Sequence, residues 1–281
     1  MATNTPILDN RATPVWADVD PDTGLIDPDD VRKQITRRTR AIMAVDWGGT
    51  RPNFFLFPRA TPIIEDAAHG TTNSLDVDFR CYSFQAIKHI TTVDGGMLIC
   101  KSSDDYARGK LLRWYGIDRE GDRTDFRCEL DVTDWGYKFH MNDAAATIGL
   151  IQLGYLSGII EKHRLNAAYY RANLPPYIRP ALHAHQYEDS CYWLFTVLLP
   201  DRPKRDAFMA HMLSRGIQVS KVHARMDRHT LWRKYTTREL PGVSAFYDRE
   251  CCIPVHWGLS TQDRDQVVAA MHEFSPREVA A

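Results

Sequence analysis

Lys88 stands in a Thr-rich turn between two short strand-type runs, Cys81–Phe84 and Met97–Cys100, and the turn closes on Gly95-Gly96. A lysine held between two buried strands is partly stripped of water, and loss of water favours the neutral amine. The neutral amine is the nucleophile that condenses with a carbonyl to give a Schiff base. Upstream, Ile63-Ile64 reads as a buried strand that ends in the acid pair Glu65-Asp66. A carboxylate at the C-terminal end of a parallel strand lies where α/β sheets bind their ligands. Such an amine and such a carboxylate are the two groups a pyridoxal phosphate site needs, one for the cofactor's carbonyl and one to keep its pyridine nitrogen protonated. Each residue also has a plain reading: Lys88 as a solvated turn lysine, Asp66 as a strand-end cap.

These residues need a frame. Ala41–Asp46 is an uninterrupted apolar run of the kind buried in a parallel sheet, and Trp47-Gly48-Gly49 follows as a turn. Asp27 as cap, Pro28 at the first helical position and Asp29-Asp30 behind it predict a helix whose inner face is Val31 and Ile35. Residues 1–10 read as helix leading into a strand from Thr13 to Val19. Ser102 or Ser103 caps a helix through Trp114, and residues 119–134 form a charged connection. Asn142 caps a helical stretch that runs to about Asn173 with a break near Gly154, and Leu174-Pro175-Pro176 ends it. Beyond lie strands over Cys191–Leu199, Ile217–Val222 and Cys252–His256. Helices are expected over Lys204–Ser214, closed by Gly216, and over Thr261–Phe274, with Ser260 as cap and Asp263 three residues on. The expectation is an α/β protein, with a mostly parallel large domain over 1–174 and a smaller α/β domain over 175–281.

The chain has 281 residues, room for one large and one smaller domain. An apolar share of 44% with 25% charged residues is ordinary for a globular protein, and a net charge of −1 gives no electrostatic reason to expect nucleic acid or a membrane surface as partner. There is no run apolar enough to span a bilayer and no secretory signal layout at the N-terminus, so the expected location is the cytoplasm. Cys81, Cys100, Cys128, Cys191, Cys251 and Cys252 show no metal-type spacing and read as reduced thiols. His183 and His185 lack an evident third ligand, so no metal site is expected.

Several segments together carry a family resemblance: Ile64-Glu65-Asp66-Ala67-Ala68-His69, Ser83-Phe84 with Lys88, Asp94-Gly95-Gly96, Trp135–Asp143 and Val15–Asp27. In order, over about residues 2–274, the chain resembles the DegT/DnrJ family of pyridoxal-phosphate-dependent sugar aminotransferases. The resemblance implies a fold-type I aminotransferase fold and a homodimer with active sites at its interface. It implies Lys88 as the Schiff-base lysine and Asp66 as the partner of the pyridine nitrogen. It also implies His69 beside the cofactor ring and its phenolic oxygen, and Ser83 on the phosphate. Lys138 stands where many members carry an Asn that reaches the phosphate of the partner subunit's cofactor. A dehydrating branch of the family has histidine at the catalytic lysine; with Lys88 present, transamination is implied. The implied reaction moves an amino group from an amino acid, glutamate for preference, to a nucleotide-linked keto sugar, in the synthesis of an amino sugar for a polysaccharide or secondary metabolite.

Three stretches depart from the family pattern. Members have more of the large domain ahead of this chain's first helix, including a Gly-Thr or Gly-Ser phosphate turn and an aromatic that stacks on the cofactor. They have a crossover helix where this chain has two prolines and an aromatic block over residues 50–60. Residues 70–79 are shorter than the family's equivalent. With Lys138, these departures support a second expectation: an N-terminally truncated, inactive relative that persists as a remnant or binds through a partner chain.

Overall fold

The strand-type runs pair as their apolar character requires. In a computed structural model that describes residues 1–71, 76–121 and 131–276, Ile42–Val45 (β1) and Ile63–Asp66 (β2) pair in parallel, with Val45 beside Asp66. Phe79–Ser83 (β3) adds in parallel on the far side of β2, with Cys81 beside Asp66. The chain then turns through Lys88 into Gly96–Cys100 (β4), which returns antiparallel to β3. The sheet order is β1-β2-β3-β4.

Burial alternates along β1 and β2, as a pleated strand demands. Ile42, Ala44 and Ile63 turn inward and meet Val31, Phe54, Phe57 and Val77 in one core. This explains the aromatic block. Residues 46–62 cross from β1 to the parallel β2 with only two single 3-10 turns, Trp47–Gly49 and Phe54–Leu56. Pro52 and Pro58 interrupt any longer helix, and Phe54 and Phe57 fill the space below the sheet while Phe55 stays exposed.

Glu65 also points inward and is fully buried. Its carboxylate accepts from Arg51 Nε at 2.5 Å and Nη2 at 3.1 Å, and from buried Arg80 Nε at 2.5 Å. Arg51 bonds Asp76 as well, at 2.8 and 2.6 Å. Two guanidiniums thus face two carboxylates. Asp46, just past β1, is a third carboxyl nearby and is buried; burial and the nearby Glu65 push its pKa well above the usual carboxylate range.

The helices follow their caps. Thr5–Asp9 (α1) opens the chain, and Pro28–Gln34 (α2) starts at Asp27, whose side chain accepts from the Asp29 amide. Ser103–Leu112 (α3) is capped by Ser102. Asp143–Leu153 (α4), capped by Asn142, breaks at Gly154 before Leu156–Ala172 (α5). A second, antiparallel sheet joins Arg179–Pro180 (β5), Phe195–Leu198 (β6) and Glu250–Ile253 (β7). Arg202–Ser214 (α6), Thr230–Arg233 (α7), Pro241–Arg249 (α8) and Thr261–Glu273 (α9) complete the chain. Phe208 and Met212 of α6, Val267 and Met271 of α9, and Ala167 and Tyr170 of α5 close a core on Phe195 and Val197. Cys81, Cys100, Cys191, Cys251 and Cys252 are free thiols, and Cys128 lies outside the described residues. Among the described residues no single helix is long and apolar enough to cross a membrane.

Two expected strands do not form. Thr13–Val19 contributes only a bridge from Val19 to Ile26. Asp18 inside it instead accepts from the Gly242 and Val243 amides, both at 2.8 Å, and so caps α8 from a distant part of the chain. A side chain at Gly242 would run into the Val19 carbonyl, so this position admits only glycine. Ile217–Val222 is likewise reduced to a bridge, Ser220 to Cys252. Val222 takes a left-handed φ of 62°, and the His223 amide bonds the Lys221 carbonyl at 2.7 Å in a tight turn. The strand expected from Cys191 begins only at Phe195, because Tyr192 at φ 47° breaks the extended path. That expected at Cys252–His256 runs earlier, over Glu250–Ile253.

Candidate active site

Asp66 is the last residue of β2, between β1 and β3. Its Oδ1 accepts from the Ala68 amide at 3.0 Å and its Oδ2 from the Thr3 hydroxyl at 2.7 Å. Ser83, two residues beyond the Cys81 that pairs with Asp66, ends β3 on the same face. Its hydroxyl accepts from the Gln85 amide at 3.3 Å, which begins the turn toward Lys88. The loop is pinned at its neck: Phe84 amide to Gly95 carbonyl at 2.9 Å, and Thr92 amide to Phe84 carbonyl at 3.0 Å.

Lys88 is half-buried within this loop. Burial lowers its pKa from the ordinary lysine value, and Asp66 opposes that shift in part. Its Nζ lies 4.2 Å from the centre of the Trp193 ring. His69, in the loop after β2, stacks on the same indole at 3.7 Å with an interplanar angle of 16°. His223 stands nearly parallel to His69 at 6.4 Å. Burial, with Lys88, His223 and His89 nearby, holds the His69 pKa down at about 2, so its ring is neutral. Its Nδ1 is buried with no hydrogen-bond partner among the described residues.

Asp66, His69 and Lys88 therefore come together, with Ser83 on the adjoining strand end. The arrangement suits a pyridoxal phosphate ring: a carboxylate for its nitrogen, an unpaired imidazole nitrogen for its phenolic oxygen, and an amine of lowered pKa for its carbonyl. Lys138 is placed elsewhere. It bridges to Trp114, packs its Nζ 5.5 Å from that ring, and lies on the exposed segment Trp135–Phe139.

Trp193, His223 and Thr3 also form the site and carry no motif. Trp193 is set by its neighbours. Cys191 and Leu194 amides bond the Gly49 and Gly48 carbonyls at 3.1 Å each, and the Cys191 thiol donates to the His69 carbonyl at 3.0 Å. His89 Nε2 and His163 Nδ1 donate to the Cys191 and Tyr192 carbonyls at 3.1 and 2.7 Å. Gly49 has φ 92°, and a Cβ there would meet Cys191 Sγ at 2.6 Å, so this crossing also requires glycine.

Residues 1–272 match the DegT/DnrJ/EryC1/StrS aminotransferase family. Among solved structures, sugar aminotransferase CalS13 from Micromonospora echinospora is similar at 33% identity and TM-score 0.86, covering 96% of this chain and 76% of that one. AtS13 from Actinomadura melliaura is similar at 34% identity and TM-score 0.87, over 98% of this chain and 77% of its own. The aminotransferase TlmJ from Streptoalloteichus hindustanus shares 27% identity at TM-score 0.84, over 96% and 74%. The chain thus spans about three quarters of the length of each.

Proposed function

The chain belongs to the DegT/DnrJ/EryC1/StrS aminotransferase family, and from that premise we propose that it moves an amino group from an amino acid to a keto sugar with pyridoxal phosphate as carrier. Its fold is the fold-type I aminotransferase fold, and its enzyme class is that of an aminotransferase. The observation that carries the proposal is the meeting of Lys88, Asp66 and His69 at the ends of β2 and β3.

Lys88, Asp66, His69 and Ser83 would hold the cofactor. When bound, pyridoxal phosphate supplies the electron sink that makes a substrate Cα proton acidic. Asp66, its carboxylate fixed by Thr3 and Ala68, would face the ring nitrogen. Neutral His69 offers Nδ1 to the phenolic oxygen, and the Ser83 hydroxyl serves the phosphate. The lowered pKa of Lys88 brings its amine toward the range in which Nζ both takes up and returns a proton.

The sugar reading draws on the name of CalS13; a nucleotide-linked keto sugar as acceptor, glutamate as donor, amino-sugar synthesis for a polysaccharide or secondary metabolite and a cytoplasmic setting are parts of the same proposal. So is the division at residue 174, with the cofactor site on 1–174 and the small domain on 175–281. We further propose a homodimer formed through α4. That helix buries none of its residues, and Leu150, Ile151 and Leu153 are 72%, 60% and 50% exposed. An apolar helix face of this kind marks an interface. In that dimer Lys138, on the exposed segment just before α4, serves the partner subunit's cofactor phosphate.

The test is to add pyridoxal phosphate to the purified protein. The expected result is a visible absorbance band that borohydride fixes on the Lys88 peptide and that Lys88→Ala lacks, followed by amino transfer from glutamate to nucleotide-linked keto sugars. No band, or labelling indifferent to Lys88→Ala, overturns the reading in favour of an inactive relative.

A further inference from the structure

Trp193 makes three contacts with the Lys88 region, each of a different kind. Its Nε1 donates to the Ile87 carbonyl at 3.0 Å, which ties the indole to the residue next to Lys88. Its ring stacks on His69 at 3.7 Å. Its ring centre lies 4.2 Å from Lys88 Nζ, well inside the range at which an ammonium is drawn to an aromatic face. The ring has little freedom, because residues 190–194 are fastened to Gly48, Gly49, His69, His89 and His163.

We propose that Trp193 is a positioning residue whose indole face parks the Lys88 amine while it is protonated and lets it go when it is not. The inference rests on the reading of Lys88 as the reactive lysine. Its physical basis is that the negative face of an indole attracts a cation and has no comparable hold on a neutral amine. Loss of one proton therefore does two things at once: it makes Nζ a nucleophile and frees it to swing off the ring. Asp66 from β2 also faces the amine and favours its charged form. His69 and His89 face it as neutral rings, with pKa values held down to about 2 and about 4, and His223 is lowered as well. Beside Asp66, then, the indole is the second group that favours the ammonium, and the hold it exerts vanishes with the charge.

The test measures Lys88 directly in cofactor-free protein. Trace acetylation across a pH series, read on the Lys88 peptide by mass spectrometry, gives the apparent pKa of that one amine. Fluorinated tryptophans replace tryptophan, because fluorine drains the ring's negative face with little change of shape. The expected result is a stepwise fall in the Lys88 pKa with fluorine number, reaching about one pH unit. Below that pKa, acetylation at fixed pH rises about tenfold. Trp193→Leu, which keeps apolar cover without a π face, gives the same fall, and Trp193→Phe retains most of the original value. A Lys88 titration that stays put across the fluorine series overturns the proposal, whatever the Trp193 variants do to folding. The cofactor reading fails separately: absence of a borohydride-fixed band with the fluorine trend intact leaves Trp193 as a holder of the amine in a site that does not load.

Discussion

Replacing Asp46 by asparagine should stabilise the protein, and increasingly so as pH rises. The reason lies in the charge count around Glu65. Arg51 and Arg80 are matched by Glu65 and Asp76, so an ionised Asp46 adds an unmatched negative charge at a position only 1% exposed. Three guanidinium hydrogen bonds already occupy the Glu65 carboxylate, whereas Asp46 Oδ1 has no partner among the described residues. The folded pKa is raised, whereas in the unfolded chain the group ionises near pH 4. A raised carboxyl favours the fold fully below the unfolded value, and that contribution is lost as pH rises toward the folded one, at about 1.4 kcal/mol per pH unit. Asparagine keeps the shape and the neutral state and removes the titration. Urea unfolding at pH 5, 6 and 7 should show Asp46→Asn gaining on the wild type as pH rises, by at most about 1.4 kcal/mol per unit. Glu65→Gln is the counterpart: it leaves buried Arg80 and half-buried Arg51 short of a carboxylate and should cost about 3 kcal/mol at pH 7. Parallel stability curves for Asp46→Asn and wild type, or a variant less stable at pH 7, would refute the assignment of the proton to Asp46.

Other outcomes follow from the same structure. Lys88→Ala should keep the fold, by circular dichroism, while amino transfer falls by at least about a hundredfold. His69 and His89 have folded pKa values of about 2 and about 4, below the unfolded value near 6.5. Their contribution to stability is therefore present above pH 6.5 and lost as pH falls, at up to about 2.7 kcal/mol per unit for the two together. His89→Gln should remove about half of that slope in urea unfolding between pH 6 and 4.5. Asp18→Ala uncaps α8 and should cost about 1–2 kcal/mol in unfolding free energy. Leu150→Asp with Ile151→Asp should turn a dimer into a monomer in sedimentation; a wild type that sediments as a monomer would remove α4 as the interface.

The parts of this fold that sequence reading reached are those whose cause is local. Asp27, Ser102, Asn142 and Ser260 cap helices through residues two or three positions away, and each does so in the structure. Gly154 breaks the long helical stretch where a glycine and a tyrosine interrupt the apolar period. The places of Lys88, in a loop between strands, and of Asp66, at a strand end, were legible because both are short-range features. The misses have distant causes. Thr13–Val19 has strand-type residues, yet Asp18 serves a helix 224 positions on. Ile217–Val222 is apolar in pattern, but the left-handed turn at Val222 ends it. Trp193 looks like any strand aromatic; it lies beside Lys88 and His69 because Tyr192 kinks the backbone and groups distant in the chain hold the segment in place. No pattern in its own neighbourhood announces those partners.

The fastening of residues 190–194 has a consequence for how the protein is made. The bonds from His89 to Cys191, from Cys191 to His69 and from Thr50 to Ser190 join positions 102, 122 and 140 residues apart. Contacts of that range form late, because a long stretch of chain must be ordered before they close. On the ribosome, Lys88 emerges well before the indole that will receive it, and spends that interval as an ordinary, hydrated lysine. A nascent chain arrested at residue 180 should acetylate at Lys88 like any exposed lysine, and the change in its reactivity marks the moment at which the first sheet and the second meet.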